Sequence, residues 1–107
     1  MEDIHFPKPK LHFFICINDR TATPENNKPS CGPQITAEMV KEVKHWLVQQ
    51  RLAAQIYCTK VKCLGFCNSD GGVACVYPKG RFIKGLHTVE DIKTFIEQEI
   101  SQLQKNQ

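Results

Sequence analysis

Hydrophobic and polar positions along the chain fall into six runs of two different periods. Leu11-His12-Phe13-Phe14-Ile15-Cys16-Ile17 is apolar on both alternating sets of positions, which predicts a central strand covered on both faces, with Cys16 near its C-terminal end. Met39, Val40, Val43 and Leu47, with Trp46 beside them, recur at three- and four-residue steps behind a capping Thr36. That spacing predicts an amphipathic helix to about Leu52. Residues 55 to 62 (QIYCTKVK) favour a strand, and Val73–Tyr77 and Arg81–Lys84 flank Pro78-Lys79-Gly80 as a hairpin. Pro78 has no N–H to give a ladder, so it belongs in the turn. Thr88-Val89-Glu90-Asp91 opens a second helix whose apolar stripe is Ile92, Phe95, Ile96, Ile100 and Leu103, with the last four residues expected to fray.

Strand, helix, strand in that order implies a parallel pair joined by a right-handed crossover, so both strands end at the same edge of the sheet. The hairpin and second helix then complete an α/β domain of thioredoxin-like topology, a small mixed sheet of about four strands with two main helices. Residues 1–10 carry Pro7 and Pro9 and no periodicity, and are expected to form a flexible leader before a domain spanning 11–107. Between the first strand and the first helix the chain turns polar from Asn18 to Pro33. A connection that long in a small domain is usually functional or disordered.

Composition narrows the class. With 107 residues, 41 % hydrophobic and 23 % charged, the chain fits one soluble globular domain. No run approaches the roughly 18 to 20 apolar residues of a membrane span, and the N-terminus lacks a signal-peptide pattern, so the expected compartment is cytoplasmic. The net charge of +3 is mild and its 14 Lys and Arg are scattered among 11 acids, which speaks against nucleic acid and leaves a basic rim for an acidic partner.

Six cysteines in a chain read as cytoplasmic shift the expectation from disulfides to metal or redox chemistry. Cys63-Leu64-Gly65-Phe66-Cys67 is a short clip, and Cys16 and Cys31 lie upstream with 14 residues between them. Gly65 lets the backbone approach a thiolate and aim N–H groups at it. Four thiolates hold either zinc or an iron–sulfur cluster. Structural zinc usually takes two short clips, so one clip plus two separated thiols favours the cluster over zinc. A thiol–disulfide oxidoreductase using Cys63 and Cys67 is the third reading, weakened by the three-residue interval and by the lack of a neighbouring base.

The strand ending Phe14-Ile15-Cys16, the Ser30-Cys31-Gly32 turn, the Cys63–Cys67 clip, the Val76-Tyr77-Pro78-Lys79-Gly80 hairpin with Phe82, and the Thr88-Val89-Glu90-Asp91 helix start together resemble the thioredoxin-like [2Fe-2S] ferredoxins, over nearly everything after Lys10. The resemblance implies one [2Fe-2S] cluster per chain, held by Cys16, Cys31, Cys63 and Cys67. It also implies a homodimer that passes single electrons to redox partner proteins rather than an enzyme. Two departures stand out: a longer loop between the first two cysteines, and Asn68-Ser69-Asp70-Gly71 after the clip where a more compact turn is usual.

Other residues of these types have plainer readings. Cys58 and Cys75 lie mid-strand and are expected to pack, facing one another across the sheet. His5, His12, His45 and His87 lack ligand spacing. Phe13, Phe14, Trp46 and Phe95 are expected in the core, and Lys60, Lys62, Lys79 and Arg81 as solvated charges that could guide a partner.

Overall fold

The computed structural model describes residues 1–17, 35–62, 64–66 and 71–105. Within them the chain forms β1 (Leu11–Cys16), α1 (Ala37–Gln49), β2 (Ile56–Val61), β3 (Gly72–Tyr77), β4 (Arg81–Leu86) and α2 (Val89–Lys105). The sheet order is β2-β1-β3-β4, with β1 parallel to β2 and antiparallel to β3, and β3 antiparallel to β4. This is the expected mixed sheet with β1 inside it. Ahead of β1, residues 1–10 adopt no helix or strand, and Tyr57 donates its hydroxyl to the Pro7 carbonyl at 3.3 Å. Among the described residues no helix is long and apolar enough to cross a membrane.

Helix starts follow the side chains that cap them. Thr36 Oγ1 accepts from Met39 N at 3.3 Å. At α2, Thr88 Oγ1 accepts from Asp91 N at 3.1 Å while Asp91 Oδ2 accepts from Thr88 N and His87 N, a reciprocal box that holds the Asp91 carboxyl below its ordinary range. Helix α1 stops before the expected Leu52. Arg51 takes φ 60°, and the bonds Leu52 N to Leu47 O (2.9 Å) and Arg51 N to Val48 O (3.0 Å) make a Schellman closure. Helix α2 runs on to Lys105, past the expected fraying point, because Ile100 and Leu103 still pack on the core.

Both helices cover the same face of the sheet. Leu11, Phe13, Ile15, Ile56, Cys58, Ala74 and Val76 meet Val40, Val43, Leu47, Ile92, Phe95 and Ile96 in one cluster, with Phe13 edge-on to Phe95 at 5.3 Å. The hairpin is fixed to α2 by Glu99, only 3 % exposed, which accepts from Arg81 Nη1 at 2.9 Å and pairs with Lys79 Nζ at 3.5 Å.

Among the described residues the other face bears no helix, where the sequence pattern led to the expectation of a β1 covered on both sides. His12, Phe14 and Cys16 alternate onto this open face. His12 stacks on Phe14 at 4.1 Å and donates to or accepts from Thr59 Oγ1 at 2.8 Å. Phe14, Tyr77, Phe82 and Phe66 continue the ring contacts at 6.1, 6.3 and 5.3 Å. Phe14 is therefore half-buried on the open face rather than in the core, and Trp46 lies partly exposed on α1 beneath Lys93.

Candidate metal centre

Strand order decides which chain ends meet. β1 and β2 run parallel, so Cys16 and Val61 end side by side, and Ile17 N extends the ladder to Val61 O at 2.8 Å. Cys16 is fully buried, and its Sγ donates to Lys62 O at 3.7 Å. Leu64 packs against Cys16 and Val73 from the open face. The residues on either side of Cys63 thus both touch Cys16. Phe66, which precedes Cys67, meets Phe82 of β4.

Of the four expected ligands, Cys31, Cys63 and Cys67 lie outside the described residues, and the structure places their neighbours. Ile35, four residues after Cys31, is fully buried against Gly72 at the start of β3. A Cβ on Gly72 would collide with Ile35 Cγ1, and one on Gly71 would stand 2.9 Å from the Gly85 backbone and 3.0 Å from His87 Cε1. Glycine at both positions lets the ends of β3, β4 and the approach to α1 close together. Lys62, Leu64, Phe66, Ile35 and Gly71 all lie at the Cys16 end of the sheet. Both helices begin at this end, so their partial positive charges favour negative charge here. Among the described residues no three His, Cys, Asp or Glu side chains gather as a metal site.

The remaining cysteines are separated from one another. Cys58 pairs with Phe13 and Cys75 with Phe14, so β1 stands between them and they point to opposite faces. The expectation that they face each other is wrong. Burial pushes the Cys58 thiol up to about 12 against the opposing pull of Lys44, and burial also raises Cys75. Both are packing thiols, as expected of mid-strand cysteine.

Two basic residues leave the expected solvated set: Lys79 and Arg81 are engaged by Glu99, and Lys79 also reaches Gln102 at 2.6 Å. Lys60 and Lys62 are exposed, joined by Lys84 on β4, which the sequence reading passed over. The open aromatic face was also missed. Its signal was the alternation of His12, Phe14 and Cys16, hidden because Leu11, Phe13 and Ile15 between them make the whole run apolar apart from His12.

Element order, sheet topology and two helices on one face define a thioredoxin-like α/β fold. Solved structures with this fold include the wild-type thioredoxin-like [2Fe-2S] ferredoxin from Aquifex aeolicus, with TM-score 0.70 at 23 % identity over 87 % of each chain. A second structure of a thioredoxin-like [2Fe-2S] ferredoxin from that organism gives 0.69 at 24 % identity, covering 86 % of this chain and 81 % of that one. A cysteine-to-serine variant gives 0.69 at 23 %, covering 84 % and 86 %. No protein-family model matches the chain, and no curated protein matches it in sequence.

Proposed function

We infer that the chain is a one-electron carrier whose [2Fe-2S] cluster, one per chain, is held by the thiolates of Cys16, Cys31, Cys63 and Cys67. The observation that carries this reading is the burial of Cys16 between Lys62 and Leu64, the two neighbours of Cys63, in a fold shared with [2Fe-2S] ferredoxins. Two of the solved variants of that ferredoxin replace cysteines four positions apart, the interval between Cys63 and Cys67 here. The donor set fits: four thiolates suit an iron–sulfur cluster, and the helix N-termini at this end offset its negative charge. When bound, the cluster takes up and gives back a single electron. Leu64 and Val73 keep water from Cys16, and burial of that kind is one of the levers on cluster potential. Nothing is bound covalently or transformed, so the protein acts as a carrier rather than an enzyme, in the cytoplasm, with redox partner proteins on either side. The resemblance also supports the association of two copies of the chain.

Protein purified without oxygen should be red-brown, bleach with dithionite, and hold about two irons and two sulfides per chain. Serine at Cys16, Cys31, Cys63 or Cys67 should abolish or reshape the visible spectrum, whereas Cys58→Ser and Cys75→Ser should keep it. A colourless protein with one zinc, or equal damage from all six replacements, overturns the reading.

A further inference from the structure

Inside the clip, the residues on either side of Gly65 are each held by a different strand. Leu64 packs on Cys16 of β1 and Val73 of β3, and Phe66 sets its ring edge-on to Phe82 of β4 at 5.3 Å and 64°. Between them Gly65 takes φ 84°, the left-handed region in which a chain turns sharply. The two holds differ in kind. Val73 is fully buried and Leu64 half-buried beside it, whereas Phe66 is 60 % exposed and Phe82 40 %. Rings left this open gain less from burial than core side chains do. An edge-to-face pair adds a contact of its own beyond the area it buries.

Phe82 is the fixed member of the pair. It lies opposite Cys75, a fully buried residue of β3, and Tyr77 braces it edge-on at 6.3 Å. Its neighbour Arg81 is tied to α2 by the 2.9 Å bond to Glu99. Phe66 stands instead in residues 64–66, which belong to no helix or strand, and Cys67 follows it directly. A ring on an anchored strand thus holds a ring on an irregular segment that leads straight into an inferred ligand.

We propose that Phe82 is a positioning residue for the metal centre: through Phe66 it latches the Cys67 side of the clip, as Leu64 latches the Cys63 side. The inference rests on the electron-carrier reading. Without the latch, the backbone entering Cys67 gains alternative positions and its thiolate lets go of metal more often. A loosened clip also admits water to a centre that gains negative charge on reduction, which favours the reduced state and raises the potential.

The test follows the visible spectrum of iron-loaded protein, kept without oxygen, as it fades in excess EDTA. Iron passes to the chelator as the ion, each thiolate keeping its electron pair, and sulfide leaves protonated by water. Phe82→Ala should speed the loss about three- to tenfold, the range an aromatic pair supplies, and raise the midpoint potential. Phe66→Ala should do the same. Combined, the two should lose iron no faster than either alone, because the second ring has no partner left to lose. Phe82→Tyr keeps the ring and should behave as the native protein. Phe82→Leu fills the strand position without a ring and should match Phe82→Ala, and it carries the comparison if the alanine variant fails to load. Tyr57→Ala removes another ring from the open face, separated from Phe66 along the ring contacts by His12, Phe14, Tyr77 and Phe82. It should change the loss rate less than about twofold. Losses that multiply in the double variant, or a Tyr57→Ala effect equal to that of Phe82→Ala, would show that Phe82 supports the fold and not the clip. Native iron loss and potential in Phe82→Ala overturn the proposal as well. Native protein that holds no iron sinks the carrier reading itself, whereas iron-loaded protein with multiplying losses sinks the latch alone.

Discussion

At Gly65 the chain takes φ 84°, in the left-handed region that costs side chains about 1–2 kcal/mol, and an added Cβ would meet nothing within 4 Å among the described residues. As far as the described residues go, glycine is required there by backbone conformation and not by crowding. Asparagine tolerates this region and valine does not. Gly65→Val should therefore destabilise the folded protein by about 1–2 kcal/mol and speed iron loss to a chelator, while Gly65→Asn loses much less. Equal behaviour of the two variants in urea unfolding would show that the conformation is dispensable. His12 makes a second residue-scale case. Desolvation lowers its pKa from 6.5, so the folded state takes up the proton later than the unfolded one. Its contribution to stability is complete above 6.5 and is lost as pH falls through that value towards the lowered folded one. Unfolding midpoints measured from pH 7.5 to 5 should fall more steeply for the native protein than for His12→Gln, which can still reach Thr59. Parallel curves would mean that His12 titrates as it does in the unfolded chain.

Among the elements, legibility followed how local the cause was. Thr36 and Thr88 announced both helix starts because a cap is satisfied within three residues. The end of α1 was hidden, since its left-handed residue is Arg51 where glycine would have signalled the stop. The two sides of β1 were hidden as well, because Phe14 and Cys16 are about as apolar as Phe13 and Ile15, and only the tertiary placement of the helices tells the sets apart. The same limit explains Cys58 and Cys75, whose faces follow from a strand register that the sequence does not print. Close approach is likewise a tertiary fact. Gly72 sits under Ile35 and beside Leu86 O, so Gly72→Ala should overpack this junction and cost about 1–3 kcal/mol. Removing the obstructing side chain tests the cause. If Ile35 is the obstacle, Gly72→Ala should cost clearly less in an Ile35→Ala background than in the native one. Strictly additive losses in chemical denaturation would place the strain elsewhere.

For the molecule as a whole, the order of strands and helices could be read from the sequence because the period switches cleanly between two and 3.6, and the four thiols could be picked out by spacing. Bringing them together would require closure between distant segments, of which the structure describes Cys16, the neighbours of Cys63, and Ile35. Between Ile17, bonded to Val61, and Ile35, seated on Gly72, run the 17 residues numbered 18–34 with Cys31 among them. Holding a segment of that length at both ends costs roughly 2–3 kcal/mol in closure entropy. The core elements meet this cost at the ends, whereas a bond to Cys31 adds a tether that exists only while metal is present. Loading with iron should therefore protect the segment from proteases, and chelation should expose it. Trypsin at Arg20 and a glutamate-specific protease at Glu25 should cut the chelated protein at least about tenfold faster than the loaded one, a change of about 1.4 kcal/mol in the opening free energy. Lys44 and Lys93, within helices packed on the core, should stay protected in both forms, which separates local release from global unfolding. Iron-loaded Cys31→Ser should be cut like the chelated protein. Cleavage at Arg20 and Glu25 that is indifferent to iron would remove Cys31 from the ligand set, whatever metal the other three thiols hold.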